Sequence, residues 1–427
     1  MGIGPAPDGK YRHWDILRHL TPPGGLTHEE WWLALKMARQ VSYQPLPVTD
    51  KNGRPFRYVL VDSLLEMLHE VDRDAGGAIR GHEQVTHPQL RDTYIIKSLM
   101  EEAITSSQLE GAATTRQVAK EMIQTGRPPR TRGEQMIYNN YQAMLFIRRL
   151  GATTPLTPSI VLELHTILTE HAIDEPDAAG RLRRTDEPIE IIDNVGNVLH
   201  TPPDAAVLAT RLQAMCGFAN GDTPEGFVHP VIRAIVLHFW LGYDHPFIDG
   251  NGRTARALFY WAMARQGYWL CEFLSISRIL KKAPSNYNRA FLYTETDDND
   301  LTYFVLNQLR VILRAVADLH AYLQHRTAEL RAVEDVLRTT RMASSMINPR
   351  QLALLNHALK NPGQMYTFRS HQRSHGVSYQ TARTDLLALQ EAGLLDAVRT
   401  GRTYHFVSPA DLRRRIGRLG KKPRERR

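Results

Sequence analysis

Cysteine is almost missing from this 427-residue chain. Cys216 and Cys271 are the only two, too few for a disulfide framework or a four-cysteine zinc site, and they fit a reducing compartment. Long apolar runs are missing too. The most apolar stretch, Val231–Leu241, contains Arg233 and His238 and is far shorter than a membrane span. Met1–Lys10 lacks the apolar core of a secretory signal, and Ala6 stands where a myristoylation signal after Gly2 wants Ser or Thr. These absences predict a cytoplasmic protein without a membrane partner. Nowhere does GxxxxGK run into Ser or Thr, so a P-loop is not available to hold phosphates, and HExxH, the zincin signature, does not occur. No repeat period is evident.

What is present is ordinary in bulk and uneven in distribution. Hydrophobic residues at 42% and charged residues at 23% exclude whole-chain disorder, and the length predicts two to four domains. The formal net charge of +8 is matched by the last fifteen residues alone: Arg413–Arg427 carries nine Lys/Arg and one Glu. Arg341–Leu412 adds eight Lys/Arg against four Asp/Glu, so residues 1–340 are mildly acidic. An acidic body with a basic C-terminal module suggests two different partners.

Periodicity divides the chain further. Residues 1–89 are rich in turn formers, with one capped helix over His28–Gln40 (Thr27 as N-cap, Glu30 completing a capping box), a short extended piece at Tyr58–Leu60 and a helix over Asp62–Val71. From about 90 to 340 the apolar spacing is almost entirely helical: Leu90–Glu110, Arg116–Thr125, Glu134–Leu150, Pro158–His171, Pro203–Ala219, Pro230–Tyr243, Thr254–Gln266, Ser285–Tyr293 and Leu301–Thr339. Pro188–Leu199 breaks the pattern, with Ile189, Ile191 and Val198 alternating around Asn194-Val195-Gly196-Asn197, a hairpin signal. Residues 341–412 read as helix (Leu352–Leu359), helix (Ser378–Ala392) and two strands (Leu394–Arg399, Thr403–Val407), the order of a winged helix-turn-helix. The expected fold is therefore mainly α, with a basic tail over 413–427.

The most informative stretch runs from His245 to Arg256: His-Pro-Phe-Ile-Asp-Gly-Asn-Gly-Arg-Thr-Ala-Arg. Gly250, Asn251 and Gly252 lie in a loop that feeds a helix N-terminus, where backbone N–H groups and the helix dipole favour an anion. Arg253 and Arg256, three apart, share one face of the first turn. Fixed cations and amides imply a polyphosphate. Asp249 beside them is useful only if it holds a divalent metal that bridges phosphate oxygens. His245 is placed to take a proton from an incoming hydroxyl.

This stretch resembles the signature of the Fic family, His-Pro-Phe-x-Asp/Glu-Gly-Asn-Gly-Arg-x-x-Arg, and fills every fixed position. Gly180–Arg183, the Pro188–Leu199 hairpin, His200-Thr201-Pro202-Pro203 and His229-Pro230 are also family-like, so the resemblance covers roughly 90–330. It implies a Fic-type helical bundle that transfers AMP from ATP to a Ser, Thr or Tyr hydroxyl of a protein docked by strand addition on the hairpin, or flap. By that resemblance His245 would be the base and Asp249 would hold Mg²⁺. The Gly250–Arg253 amides and the Asn251 side chain would hold phosphates. Arg253 would meet the β-phosphate and Arg256 the γ-phosphate. Phe247 reads as buried core. Tyr287 lies where relatives line the base pocket.

Ser106, Glu110 and Gly111, in Thr-Ser-Ser-Gln-Leu-Glu-Gly, would by themselves be an ordinary helix end. Next to a Fic signature they resemble the inhibitory segment Ser/Thr-x-x-x-Glu-Gly/Asn, which implies that Glu110 pairs with Arg256 and blocks the γ-phosphate. Two further readings remain open here: removal of AMP by the same residues, and a DNA-binding regulator whose Fic domain senses nucleotide. Ser378, Gln380, Thr381, Arg383 and Thr384 on the second helix of the C-terminal module, with Arg399 and Arg402 at the wing, are the residue types that contact duplex DNA. A homodimer is one assembly left open.

Overall fold

A computed structural model describes residues 3–76, 88–192, 195–222, 226–338, 347–400 and 403–416. The tail beyond Ile416, Arg402 at the wing and Asn194 in the flap turn lie outside the described residues. The chain forms two compact units: residues 1–78, 101–114 and 129–316 make one, and residues 79–100, 115–128 and 317–427 the other. Residues 1–78 group with 101–114 and 129–316, whereas parts of 90–128 and the stretch after 316 group with the C-terminal module.

In the first unit the helices are α1 (Trp14–Leu17), α2 (His28–Gln40), α3 (Asp62–Val71), the end of α4 (Pro88–Leu109), α6 (Arg132–Leu150), α7 (Pro158–Thr169), α8 (Leu208–Asn220), α9 (Pro230–Asp244), α10 (Asn251–Arg265), α11 (Ile276–Lys282), α12 (Pro284–Thr296) and the start of α13 (Thr302–Arg338). The remaining helix of this part of the chain, α5 (Arg116–Thr125), belongs to the second unit. The expected capping box on α2 is formed, with Thr27 Oγ1 accepting from Glu30 N and Glu30 accepting from Thr27 N. The apolar run Val231–Leu241 proves to be the interior of α9, a helix buried on all sides. α10 packs chiefly on α9, and this pair positions the site.

Two strands, β1 (Tyr43–Thr49) and β2 (Pro55–Val59), pair antiparallel, with Tyr43 opposite Val59. Pro45 and Pro47 hid β1 from the sequence reading, because proline weakens a strand signal. Phe56 on β2 packs edge-on against Phe239 at 5.0 Å and Tyr243 at 4.9 Å. Buried polar contacts fix the N-terminal segment as firmly: Arg39 donates to Tyr303 Oη at 2.7 Å and to the Arg12 carbonyl at 2.8 Å, and Tyr43 donates to Asp300 at 2.8 Å. The flap consists of β3 (Ile191–Ile192) and β4 (Val198–His200), antiparallel, leaving Ile192, Val195 and Val198 exposed.

The second unit contains α14 (Pro349–Lys360), β5 (Met365–Tyr366), α15 (Phe368–His375), α16 (Tyr379–Glu391), β6 (Asp396–Thr400), β7 (Thr403–Val407) and α17 (Leu412–Ile416), with sheet order β5-β7-β6. The helix–helix–hairpin order expected from sequence is present, with β5 and α15 added between the helices. Leu354, Leu355, Leu386, Leu389, Leu394 and Phe406 form its core. Asp385 is buried there and accepts from Asn348 Nδ2 at 2.7 Å, Arg350 Nε at 2.7 Å and His371 Nε2 at 3.1 Å. Tyr379, Gln380, Arg383 and Thr384 face outward on α16.

Candidate active site

The helix that carries the signature starts three residues earlier than its apolar spacing suggests. Gly250 is the N-cap of α10, in the left-handed region at φ 84°, and Asn251, Gly252 and Arg253 are its first turn. Their N–H groups are thus helix-start donors. Gly250 needs to be glycine: a Cβ there would lie 2.8 Å from Thr169 Cγ2 as well as being strained by the positive φ. His245 ends α9, also left-handed at φ 43° and ψ 56°, so the chain turns sharply between two packed helices.

Each loop residue is held by a neighbour. The Asn251 side chain donates to the Phe247 carbonyl at 2.7 Å and accepts from Phe247 N at 3.0 Å. The amide oxygen and one N–H of Asn251 are therefore engaged inside the loop. Phe247 is fully buried, as anticipated, and its ring stacks on His165 at 3.7 Å and 8°. His165 Nε2 faces the Asp249 carbonyl at 2.8 Å, while Nδ1 accepts from Gly180 N at 3.0 Å, so the Nε2–H tautomer ties the loop to the Gly180 segment. Burial pushes the His165 pKa down to about 4 and keeps the ring neutral. Arg183 completes the clamp: its Nε donates to the His245 carbonyl at 3.1 Å, its backbone N to the Pro246 carbonyl at 2.9 Å, and its Nη2 to the Pro203 carbonyl. His165 had no signal in the sequence, because a histidine inside a helical pattern looks like any other.

Asp249 is partly exposed. Its Oδ1 accepts from Gly250 N and from Arg253 Nη2 at 3.2 Å, and its Oδ2 lies 3.7 Å from Arg132 Nη2. The Arg253 guanidinium is fully buried and also donates to the Leu168 carbonyl at 2.9 Å, so it braces the loop from below. Burial is the main influence on its pKa, which is lowered, opposed by Asp249. Among the described residues no cluster of three or more His, Cys, Asp or Glu could hold a metal. One carboxylate beside a helix N-terminus would nevertheless suit Mg²⁺, an ion that commonly keeps several waters and takes few protein ligands.

His245 Nδ1 lies 3.3 Å from the Gly242 carbonyl. A carbonyl only accepts, so Nδ1 carries the proton and Nε2 keeps its lone pair. Burial pushes the His245 pKa down to about 4, with nearby His200 and Arg183 acting in the same sense. The ring is a free base at neutral pH.

Arg256, 1% exposed, is met by the segment 146 positions earlier. Its Nε donates to Ser106 Oγ at 2.9 Å, and its Nη2 to the Ser106 carbonyl at 3.2 Å and to Glu110 Oε1 at 2.8 Å. The carboxylate also lies against the start of α10: a Cβ on Gly252 would be 2.2 Å from Glu110 Oε1. Glu110 thus covers both cation and first-turn backbone. α4 ends at Leu109 and Gly111 is left-handed at φ 94°, so the segment is a helix end and an arginine partner together. Tyr287 lies beneath: its hydroxyl is 2.9 Å from His238 Nε2, with the ring edge-on to Phe291 at 5.3 Å.

Residues 155–263 match the family model described as Fic/DOC family. Over 113 residues, 26% of the chain, the sequence is 36% identical to "Protein adenylyltransferase Fic" of Drosophila grimshawi and 34% identical to the protein of that name from Nematostella vectensis. These matches cover 21% and 24% of the two relatives, so the chain spans about a fifth to a quarter of the length of the curated relatives it matches. Among solved structures, a Fic family protein from Desulfovibrio desulfuricans G20 aligns with 90% of this chain and 100% of its own, with a TM-score of 0.53 and 19% identity. A Fic-1 structure from C. elegans aligns with 72% of this chain and 79% of its own, with a TM-score of 0.50 and 19% identity. The last two likenesses concern the fold.

Proposed function

We propose that this chain, whose residues 155–263 form a Fic/DOC-type domain, is a protein adenylyltransferase that uses ATP and is autoinhibited by Glu110. The observation that carries the proposal is the pair formed by Arg256 and Glu110 at the start of α10, with a neutral His245 at the other end of the same loop. The first-turn amides and Arg256 would bind the triphosphate. Asp249 would hold a Mg²⁺ on its oxygens, and the ion would neutralise charge on the phosphates. The hydroxyl oxygen of a target Ser, Thr or Tyr would attack the α-phosphorus. Its proton goes to His245 Nε2, and the bond to the α,β-bridging oxygen breaks, releasing pyrophosphate. His165, Asn251 and Arg183 hold the loop so that these groups converge without further reorganisation. The exposed Ile192 and Val198 on the flap strands, with Val195 in the turn, are suited to dock the target's backbone as an added strand.

The test is incubation with α-labelled ATP, Mg²⁺ and a cell lysate. Label should appear on protein and should require His245. Label absent even after Glu110 is replaced would reject the reading. We further propose that the winged helix contacts duplex DNA, supported by the outward Gln380, Arg383 and Thr384 and the basic composition of the tail. A gel shift should show binding that weakens steeply with salt, and no shift at low salt would discard this part. No helix among the described residues is long and apolar enough to cross a membrane.

A further inference from the structure

Eight residues before Glu110, on the same helix as Ser106, stands a carboxylate that the chemistry above does not use. Glu102 is 1% exposed. Its Oε2 accepts from Ser275 Oγ at 2.8 Å and from Ser277 N at 3.2 Å, and its Oε1 accepts from Ser277 Oγ. Ser275 is the N-cap of α11, its Oγ accepting from Arg278 N at 3.4 Å. Two more ties join the same partners. Thr105 Oγ1 lies 3.1 Å from Ser275 Oγ, and Gln108 Oε1 accepts from Lys281 Nζ at 2.6 Å. On another side Ser107 Oγ donates to the Met136 carbonyl at 3.1 Å.

The spacing gives these contacts meaning. Glu102, Ser106 and Glu110 are four apart in sequence, so a rotation or slide of the helix at Glu102 is carried to the two residues that grip Arg256. A helix end fixed only at its tip would fray, and Glu110 lies just beyond the last helical residue. A carboxyl group in the interior is costly unless its acceptors are satisfied, and here three donors satisfy them. Burial raises the Glu102 pKa, opposed by the two serine hydroxyls and Arg256. The cost would have no return if the segment needed only to be covered by packing.

We infer that Glu102 is the positioning residue of the inhibitory segment: by docking on Ser275 and Ser277 it sets the register that delivers Glu110 to Arg256. It touches neither the loop nor the expected path of ATP. The inference rests on the proposed autoinhibition, and its consequence is specific. Loss of Glu102 relieves inhibition and leaves the uninhibited enzyme as it was.

The experiment is a cycle of four full-length proteins: wild type, Glu102→Ala, Glu110→Gly and the double variant, assayed for AMP incorporation with α-labelled ATP, and with melting temperatures recorded. Glu102→Ala should raise incorporation on the order of tenfold, the population shift expected when a charged set of hydrogen bonds is lost. In the Glu110→Gly background it should change incorporation less than twofold. Glu102→Gln, which keeps the shape but loses the charge and one acceptor, should raise incorporation by a smaller factor, about threefold, and covers the case in which Glu102→Ala does not fold. Unchanged inhibition in both Glu102 variants, or an equal fall in activity with and without Glu110, would overturn the inference. If Glu110→Gly itself shows no gain, the autoinhibition reading fails instead, so the two failures are told apart.

Discussion

Replacing Glu110 by Gly removes one carboxylate from a pair whose partner has almost no access to water. The N···O distance is 2.8 Å, with the Arg256 side chain 1% exposed and that of Glu110 32%. At an effective dielectric of about 20 the attraction over that distance is roughly 6 kcal/mol, most of which offsets the desolvation of Arg256. Removing one partner of a buried pair costs about 3–5 kcal/mol, and the partial exposure of Glu110 brings this to about 2–3. That is the advantage a γ-phosphate must overcome to claim Arg256, and it corresponds to a ratio of closed to open sites of about 30–150. Glu110→Gly should therefore raise AMP incorporation by about one and a half to two orders of magnitude. Glu110→Gln, which keeps the shape and loses the charge, should fall between. Arg256→Ala in the Glu110→Gly background should remove the gain, because the cation that orients the triphosphate is then absent. The assay is label incorporation from α-labelled ATP under one set of conditions. Equal incorporation by wild type and Glu110→Gly would refute the reasoning and leave Ser106–Gly111 a plain helix end.

His245→Ala should lower turnover on the order of 10²- to 10⁴-fold with nucleotide affinity nearly unchanged, checked by single-turnover kinetics beside calorimetry; equal loss of affinity would move His245 into the binding set. Asp249→Ala should weaken Mg²⁺–ATP binding and leave metal-free nucleotide binding largely intact, with calorimetry in the presence and absence of Mg²⁺ as the check. Because the His245 pKa is pushed down to about 4, activity should persist below pH 6 instead of falling off near 6.5; an acid limb at about 6.5 would contradict the buried, neutral ring. His238, buried beside Tyr287, has its pKa lowered to about 3, so the unfolded chain binds its proton first and stability falls as pH drops through about 6.5 toward the folded value. Melting curves of wild type and His238→Phe should therefore diverge between pH 7 and 5 at wild type's expense, and parallel curves would speak against that linkage.

Much of the architecture is local and so could be read directly. Helix α2 followed from a Thr-x-x-Glu pattern because a capping box is formed between neighbours in the chain. The signature from His245 to Arg256 named a base, a carboxylate and two arginines because their spacing along a loop and one helix turn is itself a geometry. What spacing alone does not show is the partner each side chain meets once the loop is folded. Asn251 offers N–H groups that suit a phosphate oxygen or a backbone carbonyl alike, and the folded loop pairs one of them with the Phe247 carbonyl. Arg253 is indistinguishable from Arg256 in charge, yet its side chain turns toward Leu168 and Asp249.

The sequence by itself determined which side chains are present and which of them lie within one turn or one loop of each other: the helices, the hairpin, the glycine-rich start of α10 and the basic C-terminal end. Tertiary structure alone decided the partners across distance. It put His165 under the loop, Arg183 on the His245 carbonyl and Glu102 on Ser275 and Ser277. It also placed Glu110 against an arginine 146 positions away. Periodicity reports which face of an element is apolar, but the identity of the face it meets depends on how the helices of each unit close around its core, and no local pattern encodes that choice.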